Sequence, residues 1–147
     1  MNNRKVYISG EIVPEVDAKI SIFDSAVLLG DTVTESTRTF NFKPFKLDEH
    51  LERLYKSFKL TRIDPQMTIE EMKKVSLELL EINKDNYKAN EDCWLVHNIS
   101  RGHSITGGNP ALQVSKPTVM IYTQPMNLVS WAPFYSKGCH AVTPPTR

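Results

Sequence analysis

The chain has 147 residues, room for one ordinary domain with a real core. Its 18 basic and 17 acidic residues leave a formal net charge of +1, so there is no basic field to hold a nucleic acid and no acidic field for a cationic partner. No apolar run approaches the length of a membrane span, and the opening MNNRKVYISG lacks the apolar segment of a secretory signal, so the expected location is the cytoplasm.

Residues 5–8 and 11–13 read as two short strands joined at Ser9-Gly10. Residues 18–23 (AKISIF) alternate polar and apolar and predict a half-buried strand. The apolar run 26–29 follows, and Gly30 marks a turn or a close backbone approach. Residues 32–40 (TVTESTRTF) are rich in β-branched side chains and predict a strand. Period two puts Thr34, Ser36, Arg38 and Phe40 on one face and Val33, Glu35, Thr37 and Thr39 on the other. Neither face is cleanly apolar, which fits a strand lining a cavity or one at a solvent-facing edge.

Residues 41–43 turn the chain and 44–47 return it as a hairpin partner. Asp48 is the expected N-cap of a helix running to about Leu60, with Leu47, Leu51, Leu54, Tyr55 and Phe58 as its apolar stripe. His50, Arg53 and Ser57 form a polar stripe beside it, where the charge of Arg53 would be partly desolvated. Thr68 with Glu71 is a capping box opening a second helix to about Lys84, with Met72, Val75, Leu79 and Ile82 as its buried stripe. Strands are expected at 93–99, 118–123 and 138–143, with a loop at 103–115 and a connector at 125–133. The sum is an α+β fold: an antiparallel sheet with two helices. The lone strand after the connector looks like the start of a further domain.

Cys93 and Cys139 lie in apolar neighbourhoods and read as buried, reduced thiols. The four histidines (His50, His97, His103, His140) lack paired metal-ligand spacing, so no metal site is expected. His97, on a strand, reads as a core or rim histidine. There is no Walker loop, GxGxxG, HExxH, CxxC or GxSxG; residue types alone leave a Ser–His–Asp triad open. What remains is a set of candidate anion binders, Arg38, Arg53 and Arg101. Arginine matches phosphate and carboxylate with two parallel hydrogen bonds, although each of the three taken alone equally fits a surface ion pair.

Phe23-Asp24, Gly30-Asp31 with Glu35, residues 45–57 with HLERLYKS, then ISRG at 99–102 and the closing TPPTR follow one another in the order of a known family. Across essentially its whole length the chain resembles the class IV, pyridoxal-phosphate-dependent aminotransferases, in particular the branched-chain type. The resemblance implies the small N-terminal domain of that two-domain fold over residues 1–124, an interdomain linker over 125–137 and the start of the large cofactor-binding domain over 138–147. It implies a homodimer with active sites at the domain interface, an amino acid and a 2-oxo acid as substrates, and 2-oxoglutarate as amino acceptor.

The family's phosphate-binding arginine falls on Arg53, making it the expected cofactor contact. Arg38, Thr34, Ser36 and Leu29 are the expected substrate side. The resemblance places the catalytic lysine beyond Arg147; neither Lys116 nor Lys137 occupies its place. Two positions depart from the branched-chain pattern: Leu29 where tyrosine is common, and Thr34 where an aromatic is expected. These departures imply a larger, more polar pocket. The D-amino acid enzymes hold the substrate carboxylate with an arginine and a histidine after the RG pair, where this chain has Thr106 and Gly108; His103 is out of register. The alternatives are an R-selective amine or D-amino acid transaminase, an aminodeoxychorismate lyase of the same fold, and a non-enzymatic binding module.

Overall fold

In the computed structural model, which describes residues 3–88, 91–103 and 116–145, the first hairpin forms as the sequence predicts. Strands β1 (Lys5–Ile8) and β2 (Glu11–Pro14) pair through Ser9-Gly10, both at positive φ. Residues 18–23 form no strand. Their alternation is real, yet both edges of β1 are already taken, by β2 and β6 (Thr118–Pro125), and Ile20 and Ile22 stay exposed. Alternation tells which side chains can share a face, not whether a neighbouring edge is free to pair.

The run after Asp24 is a short helix, α1 (Ser25–Leu29), where the sequence suggested only a turn. Asp24 caps it, its Oδ1 accepting from the Ala26 N–H at 2.9 Å, and Gly30 closes it at φ 66°, a left-handed value that favours glycine. The chain then enters β3 (Thr32–Phe40) and turns through Asn41 and Phe42, both at positive φ, into the two-residue β4 (Lys43–Pro44).

Helix α2 (Leu47–Thr61) begins at Lys46, not Asp48. Lys46 takes a left-handed conformation without a side-chain cap, and Asp48 and Glu49 sit in the first turn, where their charge suits the helix N-terminus. Leu47, Leu51, Leu54 and Phe58 are buried, as the stripe predicts. Helix α3 (Ile69–Asn83) has the expected capping box, Thr68 Oγ1 accepting from the Glu71 N–H and the Glu71 carboxylate accepting from the Thr68 N–H. Its buried face is Met72, Ser76, Leu79, Leu80 and Asn83, with Val75 half-buried and Ile82 exposed. Polarity hid that face: Ser76 donates to the Met72 carbonyl, and the Asn83 side chain pairs with both backbone groups of Lys5.

Strands β5 (Cys93–Ser100) and β6 complete an antiparallel sheet of order β2-β1-β6-β5-β3-β4. Leu51, Leu54, Met72, Leu79, Leu95, Ile99 and Ile121 fill the layer between one sheet face and α2 with α3. The α+β expectation with an antiparallel sheet holds, with four α-helices among the described residues in place of two. The fourth, α4 (Leu128–Lys137), replaces the expected irregular connector and contains Pro133. Proline removes one N–H from the ladder, but Asn127 caps the helix and the Gly138 N–H still reaches the Phe134 carbonyl. Residues 138–145 form no strand, which corrects the expected strand at 138–143; the last residue, Arg147, lies outside the described residues. Cys93 is buried, its thiol pKa pushed up to about 11 by burial, whereas Cys139, also expected to be buried, is exposed in a segment over which none of the described elements packs.

Candidate functional site

Strand β3 lies next to the sheet edge, and β4 pairs only with Thr39 and Phe40. Among the described residues no strand covers the outer edge of β3 from Thr32 to Arg38.

On the helix-covered face, Glu35 is buried. Arg53, one turn after His50 on α2, lays the side of its guanidinium against the Glu35 carboxylate. Its Nε donates to Oε2 at 2.7 Å and its Nη2 to Oε1 at 2.5 Å. His50 Nδ1 lies 2.9 Å from the same Oε1, and the Ser36 N–H donates to it at 3.0 Å. A carboxylate only accepts, so the proton that joins His50 to Glu35 sits on Nδ1, which Arg53 Nη2 also approaches to 3.2 Å. Burial pushes the Glu35 carboxyl up, but the bonds from Arg53, His50 and Ser36 together outweigh it and hold the group below its ordinary value. Glu35 in turn pushes Arg53 further up. The expected desolvation of Arg53 is not found. Its side chain is 66% exposed, because only the side of the guanidinium touches the carboxylate. Ser57 lies on the same stripe, its hydroxyl donating to the Arg53 carbonyl.

Directly across the sheet from Glu35 is His97, fully buried. Its Nε2 lies 2.8 Å from Ser76 Oγ, whose own hydrogen goes to the Met72 carbonyl, so Nε2 carries the proton. Its Nδ1 has no partner among the described residues, and burial pushes its pKa down to about 4. The core-histidine reading of His97 holds.

Arg38, Thr34 and Ser36 occupy the other face of β3, away from α2 and α3, and Leu29 stands exposed at the end of α1. Arg38 has no acidic partner among the described residues. Its guanidinium carbon lies 3.9 Å from the Phe40 ring centre, a cation–π contact, and Phe40 stacks edge-on with Phe45. Trp94 is its cross-strand neighbour and meets Trp131 of α4 with ring centres 6.3 Å apart. Val96 stands opposite Ser36 and Asn98 opposite Thr34, so this floor is mixed polar and apolar. The structure thus gathers Arg53, His50 and Glu35 into one cluster and sets Arg38, Thr34 and Ser36 on the opposite face of the same strand.

Arg101, the third candidate anion binder, is held by the fold. It donates to both Asp31 oxygens and to the carbonyls of Thr61 and Arg62, tying the end of α2 to the start of β3. Thr106 and Gly108 lie outside the described residues. So does Arg147, beyond which the catalytic lysine is expected. Glu35 is absent from the expected binding residues, although it stands with Gly30-Asp31 in the pattern that carries the family resemblance. The signal for it is its place on the same face as Val33, Thr37 and Thr39, together with two donors, His50 and Arg53, three apart on the following helix.

A family model described as amino-transferase class IV matches residues 32–144. The chain is similar to a putative branched-chain-amino-acid aminotransferase of Methanocaldococcus jannaschii, 39% identical over 122 residues, which is 83% of this chain and 40% of that protein. It is also similar to a D-alanine aminotransferase of Staphylococcus epidermidis, 32% identical over 120 residues, 82% of this chain and 41% of that protein. Among solved structures, the branched-chain aminotransferase of Thermoproteus uzoniensis with norvaline superposes with a TM-score of 0.71 at 25% identity, covering 84% of this chain and 41% of that one. The Escherichia coli branched-chain enzyme shares the fold, with a TM-score of 0.73 at 24% identity over 84% of this chain and 41% of that one. The chain spans about two fifths of the length of these relatives, 40% in the case of the first.

Proposed function

Because the chain belongs to the class IV aminotransferases, we propose that it builds the phosphate-binding and substrate-side half of a pyridoxal 5′-phosphate site. The complete enzyme, on this reading, moves an amino group from an amino acid, branched-chain by preference, to 2-oxoglutarate. The observation that carries this is the Arg53 guanidinium, fixed along one side by Glu35 and open to solvent along its end. Its remaining N–H groups are the donor set a phosphate accepts in pairs. Pyridoxal phosphate, when bound, supplies the electron sink that makes amino-group exchange possible.

The chain's own residues have separate tasks. Arg53 binds the phosphate. Arg38, which meets no carboxylate among the described residues, attracts the substrate carboxylate from the open face of β3, with Thr34, Ser36 and Leu29 shaping the wall around it. No lysine of this chain, Lys116 and Lys137 included, is assigned the proton transfer; on this reading that group belongs to the part of the enzyme beyond Arg147. Residues 1–124 form its small domain, 125–137 the linker and 138–147 the entry into the second domain. The reading includes a homodimer. The two free cysteines fit a reducing compartment such as the cytoplasm.

Similarity to D-alanine aminotransferases supports a second reading, a D-amino acid transaminase. One experiment separates the two: the complete enzyme is supplied with 2-oxoglutarate and either L-leucine or D-alanine, and glutamate formation is followed. Turnover of L-leucine supports the first reading and turnover of D-alanine alone replaces it with the second; pyruvate released from aminodeoxychorismate with no amino acceptor present would point to a lyase.

A further inference from the structure

Arg53 is a long side chain on an exposed helix face, yet it is held in one place. Free arginines of this kind sample many rotamers, and ordering them on binding weakens the complex. Here the ordering is done beforehand by a carboxylate that is itself immobile. Glu35 is 6% exposed and rooted in the central part of β3; its Oε1 takes three donors, the Ser36 N–H, His50 Nδ1 and Arg53 Nη2. We propose that Glu35 is a positioning residue for the cofactor phosphate: it clamps the Nε–Nη2 side of the Arg53 guanidinium and presents the Nη1–Nη2 end to the ligand. This rests on the reading of Arg53 as the phosphate anchor and adds the residue that aims it.

The donor count supports the division of labour. A guanidinium has five N–H groups in a fixed fork. Glu35 accepts one from Nε and one from Nη2, which leaves both on Nη1 and the second on Nη2, a nitrogen that also lies 3.2 Å from His50 Nδ1. One of the Nη1 hydrogens and the second on Nη2 point side by side off the end of the fork, where a second bidentate contact can form without disturbing the first. His50 secures the carboxylate: with its proton on Nδ1 it donates to Oε1, so Glu35 stays ionised and in register with the helix. A clip whose task was only to hold α2 on β3 would gain more from a buried guanidinium, yet 66% of this one faces solvent. Glu35 also carries a negative charge near the phosphate, but it sits on the far side of the guanidinium, and exposure of the arginine screens it.

The test is titration of the complete enzyme, stripped of cofactor, with pyridoxal 5′-phosphate and with pyridoxal, followed by absorbance. Glu35→Gln keeps the size of the side chain and replaces one accepting oxygen with a donor. We expect it to weaken pyridoxal 5′-phosphate binding about tenfold while leaving pyridoxal within about twofold. In the Arg53→Ala background the same change adds nothing, because the group it aims is gone. Glu35→Asp, which keeps the charge and withdraws it by one carbon, is expected to fall between Gln and the parent, and it carries the test if the Gln variant does not fold. Equal weakening for both cofactor forms makes Glu35 a structural clip and overturns the proposal. So does tighter phosphate binding in Glu35→Gln, which would mean that repulsion outweighs aim. If Arg53→Ala itself leaves the preference for the phosphorylated form intact, the anchor reading fails first, and the two failures are told apart.

Discussion

The two faces of β3 come from the same nine residues and meet opposite surroundings. On the helix side, Val33, Glu35, Thr37 and Thr39 are all buried, and the one charge among them is matched by donors from α2. On the other side, Thr34 and Phe40 are exposed, and Arg38 rests on an aromatic ring with no carboxylate to meet it among the described residues. A buried charge must be paired by the fold itself, whereas an uncovered one can be left for a ligand. One strand can therefore serve stability and recognition at once, with period two keeping the tasks apart.

Truncating a side chain on each face exposes the difference most strongly. Leu51, fully buried beneath the helix-covered face, should cost about 2–5 kcal/mol of unfolding free energy when changed to Ala. Phe40→Ala on the open face should cost within about 1 kcal/mol, the worth of its ring contacts. Denaturant titration of both variants measures the gap; similar losses would mean that the open face is covered in solution.

Acid should act through the helix-covered face first. His97 has a folded pKa of about 4 against an ordinary 6.5, so the unfolded chain takes up its proton earlier. Stability from this histidine is complete above about 6.5 and is lost as pH falls toward 4. Glu35, also held low, adds a further loss below its ordinary value of 4.5. Unfolding free energies measured between about pH 7 and 4.5 should fall with pH in the parent and stay flatter in His97→Gln.

On the open face, Arg38→Ala in the complete enzyme should raise KM for the amino acid about tenfold and leave cofactor affinity unchanged. An unchanged KM would make Arg38 a structural partner of Phe40. The smallest effect belongs to neither face: Thr68→Ala removes the capping box of α3 and should cost about 1 kcal/mol of stability with no change in KM.

Much of this is legible in the sequence where one local rule decides. The capping box at Thr68, the hairpin at Ser9-Gly10 and the Leu47–Leu51–Leu54–Phe58 stripe each follow from residues a few positions apart. Elements that depend on distant partners are not. Residues 18–23 have strand alternation, but both edges of the neighbouring β1 are already paired, by β2 and β6. Ser76 and Asn83 are buried because His97 and the Lys5 backbone wait for them, which no helical periodicity reveals. Asp48 reads as a cap, but the left-handed Lys46 starts the helix sooner. The site shows the same division. Arg53 stands out by its place on the helix, while Glu35, its partner 18 residues earlier, can be assigned only once β3 and α2 are packed together.

The most direct test is the cofactor preference of the complete enzyme with Arg53→Ala beside Arg38→Ala. Binding of pyridoxal 5′-phosphate relative to pyridoxal should collapse in Arg53→Ala and persist in Arg38→Ala. If both variants keep the preference, or if Arg38→Ala loses it instead, the helix-side cluster is not the phosphate anchor and the division of labour across β3 is wrong.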